Sequence, residues 1–171
     1  MRNFRKLEAN EIECRISEIP KSGKGLFLLL YKTARTDAAM LDETVGWGAW
    51  QNDFKEIDGK LFCGIGIRRT DTDEWVWKWD CGSESNMEAE KGQASDAFKR
   101  AGFKWGIGAE LYSAPRIWIP AERCNIEKGD KPRCYDRFRV TMIGYDDDGK
   151  IARLKIGNEA TSKICFDWTA S

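Results

Sequence analysis

The chain has 171 residues, 42% hydrophobic and 33% charged, which suits a globular fold with one core and excludes a disordered segment. Its 28 basic and 28 acidic residues cancel. That argues against a polycation coating nucleic acid indiscriminately, but leaves room for a local basic groove, because phosphate binding depends on where charge sits.

Residues 1–22 are polar and are expected to pack only in part; they lack the apolar segment and small-residue cleavage site of a signal peptide. Gly25–Tyr31 reads as a short buried strand. It contains the longest apolar run, LFLLLY, far short of the ~20 residues of a membrane-spanning helix. A cytoplasmic chain without membrane contact is expected. Thr36–Thr44 reads as a short helix stopped at Val45-Gly46. A strand over Trp47–Ile57 then runs into Asp58-Gly59, a hairpin turn signal because both residues tolerate positive φ.

Lys60–Arg69 alternates: Leu61, Cys63, Ile65 and Ile67 share one face, and Phe62, Gly64, Gly66 and Arg68 the other. After a polar turn, Glu74–Cys81 places Trp75, Trp77 and Trp79 on one face, opposite Val76, Lys78 and Asp80. These segments predict a three-stranded antiparallel meander. Ser85 followed by Glu88 is a capping-box signature, and Ala94, Ala97, Phe98, Ala101 and Trp105 form one apolar helical stripe, ended by Gly106 and Gly108. Arg116–Ile119 is strand-like. Phe138–Tyr145 and Ile151–Ile156, joined through Asp146–Gly149, read as a second hairpin. The fold class expected is α+β: a meander packed on a basic amphipathic helix, plus a C-terminal β-hairpin.

The helix is the informative element. Between residues 91 and 105 it carries Lys91, Lys99, Arg100 and Lys104 against one acid, Asp96, on a chain of zero net charge. At about 100° per residue, Lys91 and Lys99 flank the apolar stripe while Arg100 and Lys104 point away from it. Such a face is either an ordinary solvated surface or a phosphate contact. The tryptophan row is equally two-sided: a core or subunit interface, or a stacking surface for bases, since every base offers a π face.

There is no histidine, so the commonest metal ligand and general base are missing. Six cysteines form no CxxC pair and read as reduced structural residues; Cys124 and Cys134, flanking a basic loop, are the pair to follow. The acid-rich segments Asp71–Glu74 and Asp146–Asp148 lie on predicted turn tips, where solvated acids are the default.

Taken in order, GWGAWQNDFKEIDGKLFCGIGIRR, EWVWKWDCGSES and EKGQASDAFKRAGFKWGIGAELY resemble the Rad fifty-two family of single-strand annealing proteins, most of all its compact bacteriophage and prophage members. The most specific piece is Asp96-Ala97-Phe98-Lys99-Arg100-Ala101 followed by an aromatic and Gly106; in the family an Asp-x-x-Lys-Arg-Ala helix ends in an aromatic-glycine step. YKTARTDAAMLDETVG resembles the helix that precedes the sheet. The resemblance covers about residues 26–112, and residues 113–171 match only loosely. A single annealing-type domain over 1–171 is expected, with a 26–112 core and a 113–171 extension.

The resemblance implies a β-β-β-α fold assembled into rings or filaments, with single-stranded DNA in a basic outer groove. Lys99 and Arg100 match the family's Lys-Arg pair, and Lys91 a basic position before it. A further family arginine falls at Phe103, with Lys104 beside it. Arg68 and Arg69 approximate another basic contact, and Arg35 is a weaker candidate before the sheet. Annealing needs no nucleophile, cofactor or nucleotide, and no GxxxxGK[ST] phosphate loop is present. Expected partners are single-stranded DNA, further copies of the chain, and a phage exonuclease or single-strand-binding protein. Two alternatives stay open: a protein-binding inhibitor on the same fold, and a metal-dependent nuclease using the acidic turns.

Overall fold

The computed structural model describes residues 3–82, 89–127 and 129–170, with the side chains of residues 89–91 also outside that set. The Ser85–Glu88 capping box and the Lys91 side chain therefore lie outside the described residues. The fold is mixed α+β, with antiparallel sheets and, among the described residues, two α-helices. It divides into two compact units, each discontinuous in sequence: residues 1–6 with 32–109, and residues 7–31 with 110–171.

In the first unit, helix α1 spans Ala34–Val45, wider than the expected Thr36–Thr44 because Thr33 caps it. The Thr33 hydroxyl accepts the Thr36 N–H at 3.2 Å, satisfying one of the donors that a helix start leaves open. The strands are β3 (Trp50–Ile57), β4 (Lys60–Arg68) and β5 (Trp75–Cys81), paired antiparallel in that order. Asp58 and Gly59 take φ of 51° and 71°, as a two-residue hairpin turn requires. Helix α2 spans Ala89–Lys104 and ends before Gly106, whose φ is 93°.

The two faces of this meander differ sharply. On one, Cys63 and Ile65 are fully buried, as are Ala97 and Ala101 of the α2 stripe. The Trp105 indole donates to the Ile65 carbonyl at 3.0 Å, and Trp50 meets Phe98 with ring centroids 6.2 Å apart. On the other face Gly64 pairs with Trp79, Gly66 with Trp77 and Arg68 with Trp75. A Cβ on Gly64 would stand 2.5–2.6 Å from three atoms of the Trp79 indole. That ring lies flat on the backbone, so only glycine fits beneath it. The tryptophan row thus sits on the face away from α2.

The second unit contains β1 (Glu13–Glu18), β2 (Gly25–Tyr31), β6 (Ile117–Pro120), β9 (Phe138–Tyr145), β10 (Ile151–Asn158) and β11 (Lys163–Thr169), plus a two-stranded ribbon of β7 (Ile126–Glu127) and β8 (Arg133–Cys134). The six form one antiparallel sheet, ordered β11-β10-β9-β1-β2-β6. One expectation is corrected here. Within residues 3–22 a strand is present that was not expected: β1 pairs with β2 from Glu13↔Tyr31, and Leu7 and Ile12 are buried. The Leu7 N–H donates to Glu110 Oε1 at 2.8 Å, and the Tyr145 hydroxyl donates to the Leu7 carbonyl at 2.7 Å. Polar alternation hid the strand because β1 buries little of its own surface. The expected C-terminal hairpin forms from β9 and β10 and is part of the larger sheet, in which β11 adds to β10 as the edge strand. Strand β2, inside the expected 26–112 core, pairs with β6 beyond it.

Candidate nucleic-acid interface

Helix α2 positions the strongest cationic group of the first unit. Its apolar stripe is held to β4 and β5, so the remaining side turns outward. Arg100 and Lys104 are about half exposed there, and Lys99 is partly buried. Asp80 on β5 faces them from the sheet: its carboxylate lies 3.5 Å from Arg100 Nε and 3.8 Å from Lys104 Nζ. Asp80 also accepts the Cys81 N–H at 2.8 Å, which fixes it in place. The row is therefore three cations within two helical turns, tempered by one acid that orients two of them.

Two further lysines, absent from the sequence-based candidates, support the row. Lys78 donates to the Lys104 carbonyl at 2.7 Å and stands 4.4 Å from the Trp105 ring centroid, placing positive charge at the helix C-terminus where the dipole favours it. The signal was present, since strand alternation set Lys78 opposite the tryptophans and hence on the helix side. Lys32 is different. Only 1% exposed, it donates to both Asp37 carboxylate oxygens, at 2.6 and 2.5 Å, and to the Lys99 carbonyl at 3.1 Å. Its ammonium lies 4.1 Å from the Phe103 ring centroid. Burial raises the Asp37 carboxyl to about 6, against the opposing pull of Lys32. Where the resemblance led to an arginine, Phe103 covers this internal ammonium instead. Nothing in the local pattern of Lys32 marks it for burial.

Of the other predicted residues, Lys91 has its side chain outside the described residues, and Arg68 and Arg69 have partners elsewhere. Arg68 projects from the tryptophan face, opposite Trp75, with Asp73 at 3.5 Å. Arg69, past the end of β4, binds Asp71 through Nε at 2.9 Å and Nη2 at 2.5 Å. Arg35 is exposed in the first turn of α1. The acidic turns have local duties: Asp71 holds Arg69, and Asp146 Oδ1 accepts the Lys150 N–H at 2.8 Å. Among the described residues no three His, Cys, Asp or Glu side chains are grouped to hold a metal ion. All six cysteines are free thiols; burial pushes Cys63 and Cys124 up to about 12 and also raises Cys134, so these three stay protonated near neutrality. A cleft of about 930 Å³ beside the β1–β9 junction is lined by second-unit residues such as Cys14, Tyr31 and Arg139.

The family model for the Rad52/22 family double-strand break repair protein matches residues 5–128, a span that includes α1, the meander and α2. No curated protein and no solved structure matches the chain. With most of its length inside the family match, the chain belongs to the Rad52/22 family of double-strand break repair proteins.

Proposed function

We propose that this chain binds single-stranded DNA along the outer side of α2 and anneals complementary strands, without nucleotide hydrolysis, as an oligomeric ring or filament. The observation that carries this reading is the exposed Arg100–Lys104 pair beside Lys99, on a helix inside the family-matched segment and on a chain of zero net charge. Three cations in two turns neutralise successive phosphates while the meander holds the helix rigid. A strand held by its backbone keeps its Watson–Crick edges free, which lowers the entropic barrier to pairing, and the new duplex supplies the driving force. The protein needs no nucleophile for this. Exonucleases and single-strand-binding proteins are the natural partners of such an activity, because they supply and cover the single strands it would pair.

The direct test is fluorescence annealing of two labelled complementary oligonucleotides without ATP, comparing wild type with Lys99→Ala/Arg100→Ala. Wild type should accelerate annealing; the double variant should not, while keeping the oligomeric mass of wild type. A wild-type protein that neither binds nor anneals single strands at low salt would end this proposal.

A further inference from the structure

The face of the meander away from α2 carries a second ordered group of aromatic and basic side chains. Trp75, Trp77 and Trp79 follow one another along β5, with ring centroids 6.5 and 5.7 Å apart. The Trp77 and Trp79 planes lie within 23° of parallel. Both rings rest on glycine backbone, over Gly66 and Gly64, so each indole turns one π face to the sheet and the other outward. Trp75 is 37% exposed. Lys55 Nζ lies 4.4 Å from the Trp79 ring centroid, a cation resting where a flat ligand would lie. Within the paired strands this face carries Lys55, Lys60 and Arg68 against Asp53, 3.8 Å from Lys55, and Asp73 from the following turn lies 3.5 Å from Arg68, which leaves one positive charge in excess.

We propose that the Trp75–Trp77–Trp79 ladder is a stacking platform for the bases of single-stranded nucleic acid, with Lys55, Lys60 and Arg68 flanking it as phosphate contacts. The proposal rests on the DNA-binding reading above and adds a base-reading surface to it. Three observations select this occupant over a second copy of the chain. The indole spacing is roughly double the ~3.4 Å rise of stacked bases, so each ring takes one base of an extended, unstacked strand. The charge of the face has the sign that complements phosphate. And β3, which borders the ladder, is exposed along nearly its whole length and carries Gln51, Asp53 and Lys55 toward this side, whereas the centre of a protein interface is depleted of charge. Binding exchanges the Lys55 ammonium on Trp79 for a base and frees that lysine for a phosphate. A base lying flat on an indole leaves its pairing edge at the side, open to a complementary strand.

The test uses the full chain and thymidine oligonucleotides carrying iodouracil, photocrosslinked and mapped by mass spectrometry, beside an abasic oligonucleotide of equal length. Crosslinks at Trp75, Trp77 or Trp79 are expected. Trp77→Leu should weaken binding of the thymidine strand about tenfold and leave the abasic strand unchanged. Because Trp77 covers Gly66 and its loss could unsettle the sheet, Lys55→Gln/Arg68→Gln provides a surface variant, expected to weaken both strands alike. Crosslinks confined to α2, with wild-type binding intact, would overturn the ladder and leave the helix assignment standing. No binding of the thymidine strand by wild type would overturn both. A Trp77→Leu protein that loses oligomeric mass without DNA, and shows no base-dependent defect, would assign the face to another copy and refute the proposal.

Discussion

The cationic row on α2 makes a quantitative prediction about salt. Lys99, Arg100 and Lys104 are three charges available to phosphates in each protomer, two of them about half exposed and held at 3.5 and 3.8 Å from Asp80. Each single-strand phosphate neutralised contributes about −0.7 to the slope of log affinity against log salt. These three contacts contribute about −2 to the slope per engaged protomer, and Lys99→Ala/Arg100→Ala removes about 1.4 of it, whatever other contacts add. Raising salt from about 50 to about 200 mM should weaken wild type about sevenfold more than the variant for each protomer engaged. Fluorescence anisotropy of a labelled thymidine oligonucleotide, titrated at several salt concentrations, reads both slopes. The difference between the slopes, about 1.4 per engaged protomer, is set by Lys99 and Arg100 alone and holds whether or not the tryptophan face adds phosphate contacts. Equal slopes for the two proteins would refute the row as the phosphate contact, even if the variant bound more weakly overall.

Other outcomes follow from the neighbouring charges. Asp80→Asn keeps an acceptor for the Cys81 N–H but removes the acid facing Arg100 and Lys104; oligonucleotide affinity at low salt should rise about two- to fivefold, the scale of a partly exposed ion pair. Lys32→Met strands the Asp37 carboxylate in the interior and should cost about 3–5 kcal/mol in urea unfolding followed by tryptophan fluorescence, most of it recovered in Lys32→Met/Asp37→Asn. Asp37 itself sets a pH dependence. Its folded value of about 6 exceeds the ordinary 3.8, so its stabilising contribution is complete below the ordinary value and is lost as pH rises through about 6. The urea midpoint should fall across that window in wild type, and Asp37→Asn should remove this part of the fall.

The meander and α2 were legible in the sequence because each advertises its own period, whereas α1 was read from a segment too short to fix a face. Alternation along Lys60–Arg68 and Trp75–Cys81, and the stripe through Ala97, Phe98 and Ala101, are local signals that packing then enforced. The Asp58-Gly59 turn was equally plain. Strand β1 was not, since most of its side chains stay in solvent and its place depends on β2 and, at Glu13↔Arg139, on β9. No local pattern announces a partner more than a hundred residues away. Lys99, Arg100 and Lys104 were proposed from charge on a helix and from the resemblance, and the structure places them on α2. Lys32 was missed because burying an ammonium requires a specific carboxylate and carbonyl, and only the folded chain brings Asp37 and the Lys99 carbonyl to it. Arg68, expected as a further basic contact near the end of its strand, lies opposite Trp75, a register that alternation within each strand did not fix.

The interleaving of the two units bears on how the chain is made. Leu28 pairs with Ile117, so strand β2 must wait for 89 further residues before that neighbour exists. At about 5–20 residues per second on a ribosome, the wait is on the order of several seconds, long enough for the meander and α2 to emerge and close first. During that time β2, the most apolar run in the chain, has β1 on one edge and nothing on the other. A nascent chain of this protein would be most exposed to misassociation in that interval, and holdase chaperones would find their target at Leu26–Tyr31.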